Sequence, residues 1–216
     1  MKKLSLYGAE LGYRGHAVLR GVNVVIGEGD ICLINGPNGT GKTTLGLGML
    51  GLIPLLKGTR ESNFLAPAYV PQSNRLDVQY PLTLETLVAM GVPSYSSLNI
   101  LSRWKNRIPR RELIERTLAR VGLAGKGKQL FHRSSGGEFQ RALIARALVS
   151  GPDLMLLDEP FANIDREGKR EIREFLLKEG LERGITLIII DHHENVDFCS
   201  NCLEISGGEV TASGSN

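Results

Sequence analysis

The residues best equipped for chemistry form a glycine-rich run, Gly36-Pro37-Asn38-Gly39-Thr40-Gly41-Lys42-Thr43-Thr44. Its spacing is G-x-x-x-x-G-K-T, an order of residue types suited to holding a polyphosphate. Glycines let successive backbone N–H groups turn inward on an anion, and a helix beginning at the end of the run adds its positive N-terminal potential. Asn38, Gly39, Gly41 and Thr44 are therefore read as cradle, Lys42 as the cation for the terminal phosphates, and the Thr43 hydroxyl as a magnesium ligand. A chance glycine turn is the competing reading. The apolar strand before the run and the helical segment after it count against that reading. This is a nucleotide site.

Two more segments carry suitable groups. Asp158 closes an apolar strand, Leu154-Met155-Leu156-Leu157, where a carboxylate can complete a magnesium shell. Glu159 follows it and is placed to polarise a water for attack on a γ-phosphate. A strand-terminal Asp-Glu can also be solvated charge or a helix cap; alongside a phosphate loop, chemistry is the better account. The second segment is another glycine loop, Ser134-Ser135-Gly136-Gly137-Glu138, running into an amphipathic helix. Alone it is a weak signal, but it supplies a second anion-binding helix N-terminus.

The elements that must position these groups alternate strand with helix. Ile31–Ile34, Leu154–Leu157 and Thr186–Ile190 are almost continuously apolar, as strands buried on both faces of a mostly parallel sheet should be. Helices are expected at about 42–50, 137–150 and 167–182; in the second, Phe139, Ala142, Leu143 and Ala147 share a face. The fold class is α/β. From about residue 76 the strand signals stop, turn signals multiply (Tyr80-Pro81, Gly91-Val92-Pro93, Ile108-Pro109), and a helix is expected over Arg110–Val121. We divide the chain into an α/β core, 1–75 and 151–216, and an inserted helical subdomain, 76–150, within one domain. Ser206–Thr211 reads as a hairpin, and no accessory domain is expected after it.

At 216 residues the chain can bury a sizeable core, and 42% hydrophobic with 23% charged residues is ordinary for a globular protein. A net charge of +3 argues for neither nucleic acid nor membrane. No apolar run approaches the roughly 18 residues of a membrane span, and the N-terminus lacks a secretory signal. Any membrane role must come through a partner. Cys32, Cys199 and Cys202 are too few for a disulfide framework. Cys199 and Cys202 have C-x-x-C spacing downstream of His192 and His193, so a metal or redox pair is conceivable; packing where a helix meets the next strand is the plainer reading.

Taken in order and spacing, these motifs resemble those of the ATP-binding cassette (ABC) ATPases over nearly the whole chain. The resemblance implies a RecA-like P-loop core with a mainly parallel sheet, an N-terminal antiparallel β portion and the inserted helical subdomain. It implies ATP and Mg2+ as the bound cofactors. Residue by residue, Tyr13 looks like the aromatic that stacks on adenine, and Gln72 in Tyr69-Val70-Pro71-Gln72 like the glutamine that contacts magnesium and the attacking water. Ser135, Gly136 and Gly137 match the signature motif that covers the γ-phosphate of ATP held by a partner subunit. Asp165 matches the D-loop and His192 the switch histidine. Catalysis thus falls to Glu159, His192, Gln72 and Lys42, and metal binding to Thr43, Gln72 and Asp158. The chain departs from the usual signature at Ser134 (for leucine) and Glu138 (for glutamine). His193 adjoins His192, and register after the strand favours His192 for the switch.

The resemblance implies an ATP-hydrolysing subunit acting as a head-to-tail dimer, with a second cassette, expected to be a copy of this chain, as partner. An integral membrane permease is expected to dock near Gln72–Tyr95, which places the chain in the cytoplasm, peripheral on the inner face of the membrane. The stretch Pro71–Asp77, with Tyr80–Leu84 and Ala89-Met90-Gly91, is most similar to the ATPases of manganese, zinc and iron importers. A soluble ABC ATPase, for example in iron–sulfur assembly, is the alternative. The basic run Arg103-Trp104-Lys105-Asn106-Arg107 could bind nucleic acid, but more often such a run is a solvated face or lies near anionic lipid, and no direct nucleic-acid role is expected.

Overall fold

The computed structural model describes residues 1–72, 82–93, 108–191 and 199–214. His192, His193 and the basic run at 103–107 lie outside the described residues, as do Ser73 to Pro81 and Ser94 and Tyr95 within the expected docking segment.

Among the described residues the strands form two sheets. The first is antiparallel, ordered β2 (His16–Gly27), β1 (Lys3–Tyr13), β4 (Lys57–Ser62). β1 and β2 meet at a two-residue turn in which Arg14 has φ 52° and Gly15 φ 82°; positive φ at both positions suits the right-handed twist of a hairpin. The second sheet runs β5 (Pro67–Val70), β6 (Leu154–Asp158), β7 (Thr186–Ile190), β3 (Ile31–Asn35), β8 (Asn201–Ser206), β9 (Glu209–Gly214). Its first five strands are parallel, and β9 turns back antiparallel through Gly207 and Gly208, the expected hairpin.

The continuous apolar runs are explained by two cores, one on each face of the second sheet. Cys32, Ile34, Leu154, Leu156, Ile188 and Ile190 face the antiparallel sheet and α1 (Lys42–Leu50), meeting Leu4, Leu6, Leu11, Leu45 and Met49. Leu33, Met155, Leu157, Leu187 and Ile189 alternate with them toward a helical layer. That layer comprises α2 (Leu84–Ala89), α3 (Arg110–Arg120), α4 (Gly136–Leu148) and α5 (Arg166–Arg183), contributing Leu87, Leu118, Leu143, Leu148, Ile172 and Leu176. Burying either face of a strand stabilises by about 1.5–3 kcal/mol per large side chain, so neither face tolerates charge.

α1 lies close on the sheet because it carries glycine where side chains would collide. A Cβ on Gly48 would fall 2.1 Å from Leu11 Cδ2. The helices begin and end near the expected positions. α4 starts one residue earlier than expected because Ser135 is its N-cap, and it stops at Leu148. α5 is capped by Asp165, whose carboxylate accepts from Gly168 N at 2.9 Å, and ends at Gly184 in the left-handed region.

Candidate functional site

The phosphate loop connects the end of β3 to the start of α1. Gly36 and Gly41 hold φ values of 147° and 103°, and a Cβ on either would meet Ile205 O at 2.6 Å or Val18 Cγ1 at 2.9 Å. Only glycine fits both. Asn35 Oδ1 accepts from Gly36 N at 2.7 Å, fixing the entry to the loop. The Lys42 ammonium is buried within the curl, donating to Gly36 O at 2.8 Å and Pro37 O at 2.9 Å. Burial pulls its pKa below the ordinary lysine value, while Glu159, Asp158 and Asp191 oppose that pull and favour the charged form.

Facing the loop, β6 ends at Asp158, almost fully buried, whose Oδ2 accepts from Thr43 Oγ1 at 3.0 Å and from the Tyr69 hydroxyl at 3.3 Å. A hydroxyl and a carboxylate side by side are hard oxygen donors of the kind magnesium takes. Glu159 has φ 49°, a backbone conformation that non-glycine residues seldom adopt, and its N–H donates to Ile190 O at 2.9 Å. Gln72 Nε2, just beyond β5, donates to the Glu159 carboxylate. A cavity of about 440 Å³ is lined by Asn38, Gly39, Gly41, Lys42, Thr43, Thr44, Gln72 and Glu159, together with Val18.

Sequence reasoning thus named all but one of the residues around this cavity. It missed Val18, an exposed valine on β2 that the pattern does not distinguish. It also missed Tyr69, although Tyr69 lies in the segment that carries Gln72. Tyr13 is half-exposed at the β1–β2 turn and is not among the lining residues. His192 follows β7 by two residues, outside the described residues; its neighbour Asp191 is buried and donates N–H to Ile34 O at 3.2 Å.

The second glycine loop opens onto a separate cavity of about 400 Å³. Ser135, Gly136, Gly137, Arg141, Asn163 and Asp165 are among its lining residues. Ser135 Oγ accepts from Glu138 N at 3.2 Å, and Ser135 N donates to Glu138 Oε2 at 3.0 Å, a capping box that satisfies two terminal N–H groups. Glu138 is also held by Lys126 and by Gln129 Nε2 at 3.0 Å. Lys126 first, then the Ser135 N–H, bring its carboxyl down to about 2, against the upward pull of burial. Gln129 Nε2 also lies 3.1 Å from Ser134 Oγ, so both departures from the usual signature belong to one polar network. Its members Lys126 and Gln129 were missed, since nothing in their local sequence marks them.

Both cysteines of the pair lie against the helical-layer core, while the segment before them, with His192 and His193, lies outside the described residues. Cys199 is buried against the helical-layer core and Cys202 sits on β8 partly packed on it. Burial raises the Cys199 thiol to about 12, far from the low-pKa thiolate of a redox motif. Among the described residues no cluster of three His, Cys, Asp or Glu side chains is arranged to hold a metal.

Comparison with known proteins agrees with this geometry. Residues 19–162 match the family model described as "ABC transporter". The chain is 34% identical over 197 residues to the zinc import ATP-binding protein ZnuC of Ruegeria sp. (strain TM1040), covering 91% of this chain and 73% of that protein. It is 33% identical over 196 residues to the manganese transport system ATP-binding protein MntB of Listeria innocua, covering 88% and 80%. Among solved structures, a chain of an inward-facing ABC transporter of metal-chelate type superposes with a TM-score of 0.85 at 24% identity, covering 99% of this chain and 84% of that one. A dimeric ATP-binding cassette bound to ADP and Pi superposes with a TM-score of 0.78 at 24% identity, covering 98% of each. At that identity the two structures speak for the fold, and the sequence relatives and family model establish the kinship. The chain belongs to the ABC transporter family, as one of its ATP-binding, ATP-hydrolysing cassettes.

Proposed function

We propose that this cassette drives import of a metal ion by an ABC transporter, working as a head-to-tail dimer in which each ATP is enclosed by two chains. The observation that carries the dimer is the separation of the two glycine loops. Ser135, Gly136 and Gly137 line one cavity, while Lys42, Thr43, Gln72 and Glu159 line another, so neither cavity contains a full set. Two-fold symmetry brings the Ser135–Gly137 loop of one chain over the phosphate loop of the other and makes two equivalent sites.

In this reading the N–H groups of Asn38 to Thr44 wrap the phosphates and Lys42 pairs with their terminal charge. Tyr13 supplies an aromatic face for the adenine from the β1–β2 turn. Thr43, Asp158 and Gln72 hold magnesium, and the Thr43–Asp158 pairing supports this because both oxygens already converge. Magnesium, when bound, neutralises charge on the phosphates. Glu159 orients and deprotonates the attacking water, and Gln72, already bonded to Glu159, ties that carboxylate to the end of β5. Asp165 contributes to the site from the cap of α5, and His192 is assigned to it by its match to the switch histidine. The division into a core (1–75, 151–216) and a helical arm (76–150) belongs to the same proposal.

Metal import is supported by the relatives, whose names specify zinc and manganese. Among the described residues no helix is long and apolar enough to cross a membrane. The chain therefore reaches the membrane through a permease, docked near residues 72–95, where α2 is followed by the exposed Met90. The cytoplasmic face is the side from which ATP is supplied.

The test is Glu159→Gln in the purified full chain. Removing a general base costs about 10²–10⁴ in rate, so kcat falls by at least a hundredfold while ATP accumulates a stable dimer. A variant that hydrolyses ATP at the parent rate overturns the assignment. The cargo is tested by metal uptake into vesicles that hold the chain and its permease.

A further inference from the structure

The first turn of α4 carries a paradox. It is the surface that the proposed dimer turns toward a polyphosphate, yet Glu138 places a carboxylate there. An acid in the first turn suits the helix dipole but repels an anionic ligand.

The structure shows how that charge is occupied. One Glu138 oxygen accepts from Lys126, and the other accepts from Gln129 Nε2 at 3.0 Å and from Ser135 N at 3.0 Å. The Glu138 side chain is only 15% exposed. Two of its three partners, Lys126 and Gln129, stand on a fixed strip of backbone. Gly127 O and Gln129 O accept from Glu85 N at 2.9 Å and Leu84 N at 3.0 Å, and Phe131 N donates to Leu82 O at 2.9 Å. Gln129 N donates to Lys126 O at 2.9 Å, closing the turn that presents the lysine. Lys126 and Gln129 are thus anchored to the start of α2 and reach across to the start of α4.

We propose that Lys126 and Gln129 are positioning residues for the composite ATP site: they hold the Glu138 carboxylate folded back onto the α4 cap and cancel its charge, leaving the loop from Ser135 to Gly137 receptive to the partner's γ-phosphate. This rests on the head-to-tail reading above. Lys126 touches neither nucleotide nor reacting atoms; it acts through Glu138. In a chain with glutamine at 138 there is no charge to cancel, so the lysine is needed because of the departure at that position.

The experiment uses the full chain in the Glu159→Gln background and measures, by light scattering, the ATP concentration that closes half the dimer. Lys126→Met raises that concentration about tenfold, the weight of one uncompensated charge at roughly 10 Å in an effective dielectric of about 20. Lys126→Arg restores it. Glu138→Gln alone leaves the Lys126 charge unopposed and lowers that concentration, by up to the same factor, and adding Glu138→Gln to Lys126→Met brings the value back to the parent's. ATP binding by monomers, followed with a fluorescent analogue, is unchanged throughout. A Lys126→Met variant within twofold of the parent overturns the inference. So does a loss that persists in the double variant, which would mark Lys126 as a fold-stabilising residue only. Ser135→Arg in the same assay separates the two levels: if it closes like the parent, or the parent never closes, the composite site itself is wrong. If Ser135→Arg blocks closure while Lys126→Met does nothing, only the positioning role fails.

Discussion

Gly136→Ala isolates the contact on which the second half-site is built. Gly136 begins α4, and a Cβ there would lie 2.6 Å from Asn163 O, a backbone atom that cannot rotate away. Asn163 is itself held at φ 58°, so its loop has little freedom to yield. Even a tight carbon–oxygen contact requires the two backbones to part by roughly half an ångström or more. Overpacking of this kind costs about 1–3 kcal/mol, or about 2–10 °C in Tm for a chain of this size. Gly137→Ala is the control, because its Cβ would meet Ile164 Cγ2 at an ordinary 3.6 Å. Alanine also favours helix over glycine by up to about 1 kcal/mol, so Gly137→Ala is neutral or more stable. The assay is urea unfolding of the monomer without nucleotide, paired with ATPase rate. Gly136→Ala loses both stability and, by displacing the loop, about tenfold in rate. Gly137→Ala loses rate alone, since its methyl intrudes where the partner's phosphate should sit. Equal stability of Gly136→Ala and parent would refute the reasoning.

Two further outcomes concern titration and reactivity. Glu138 is depressed to about 2 when folded, against an ordinary 4.5 for an exposed glutamate. Its stabilising contribution is therefore present above about 4.5 and is lost as pH falls through that value toward 2; a Glu138→Gln variant shows a flatter acid limb in unfolding curves over that window. Cys199, buried and raised to about 12, reacts with iodoacetamide at pH 8 far more slowly in the folded chain than in urea, by mass spectrometry of the peptide.

The parallel core was legible because β3, β6 and β7 are buried on both faces, and a strand in that position can only be written in apolar residues. The phosphate loop was legible because its glycines answer local steric demands that survive in any context. β5 escaped notice: four residues opening on Pro67 carry too little pattern, and their strand character comes from pairing with β6. The Lys126–Gln129–Glu138 network was out of reach for a different reason. Its residues are polar and are brought together by the antiparallel contact of 127–131 with 82–85, which no periodicity records. The capping box itself, Ser135 with Glu138, was there to be read from the S-x-x-E spacing. Glu138 stood out only as a departure from the usual signature, and its work at the cap became visible with the fold.

The central claim is that the two glycine loops are halves of one site shared between chains, and complementation tests it most directly. Lys42→Ala disables the phosphate loop of its own chain, and Ser135→Arg disables the loop it offers to a partner. Each variant alone is inactive. Mixed in equal amounts, half the dimers pair one of each and contain one site with an intact Lys42 and an intact Ser135, so ATPase activity recovers to about a quarter of the wild-type rate. A mixture no more active than the separate variants would contradict the account.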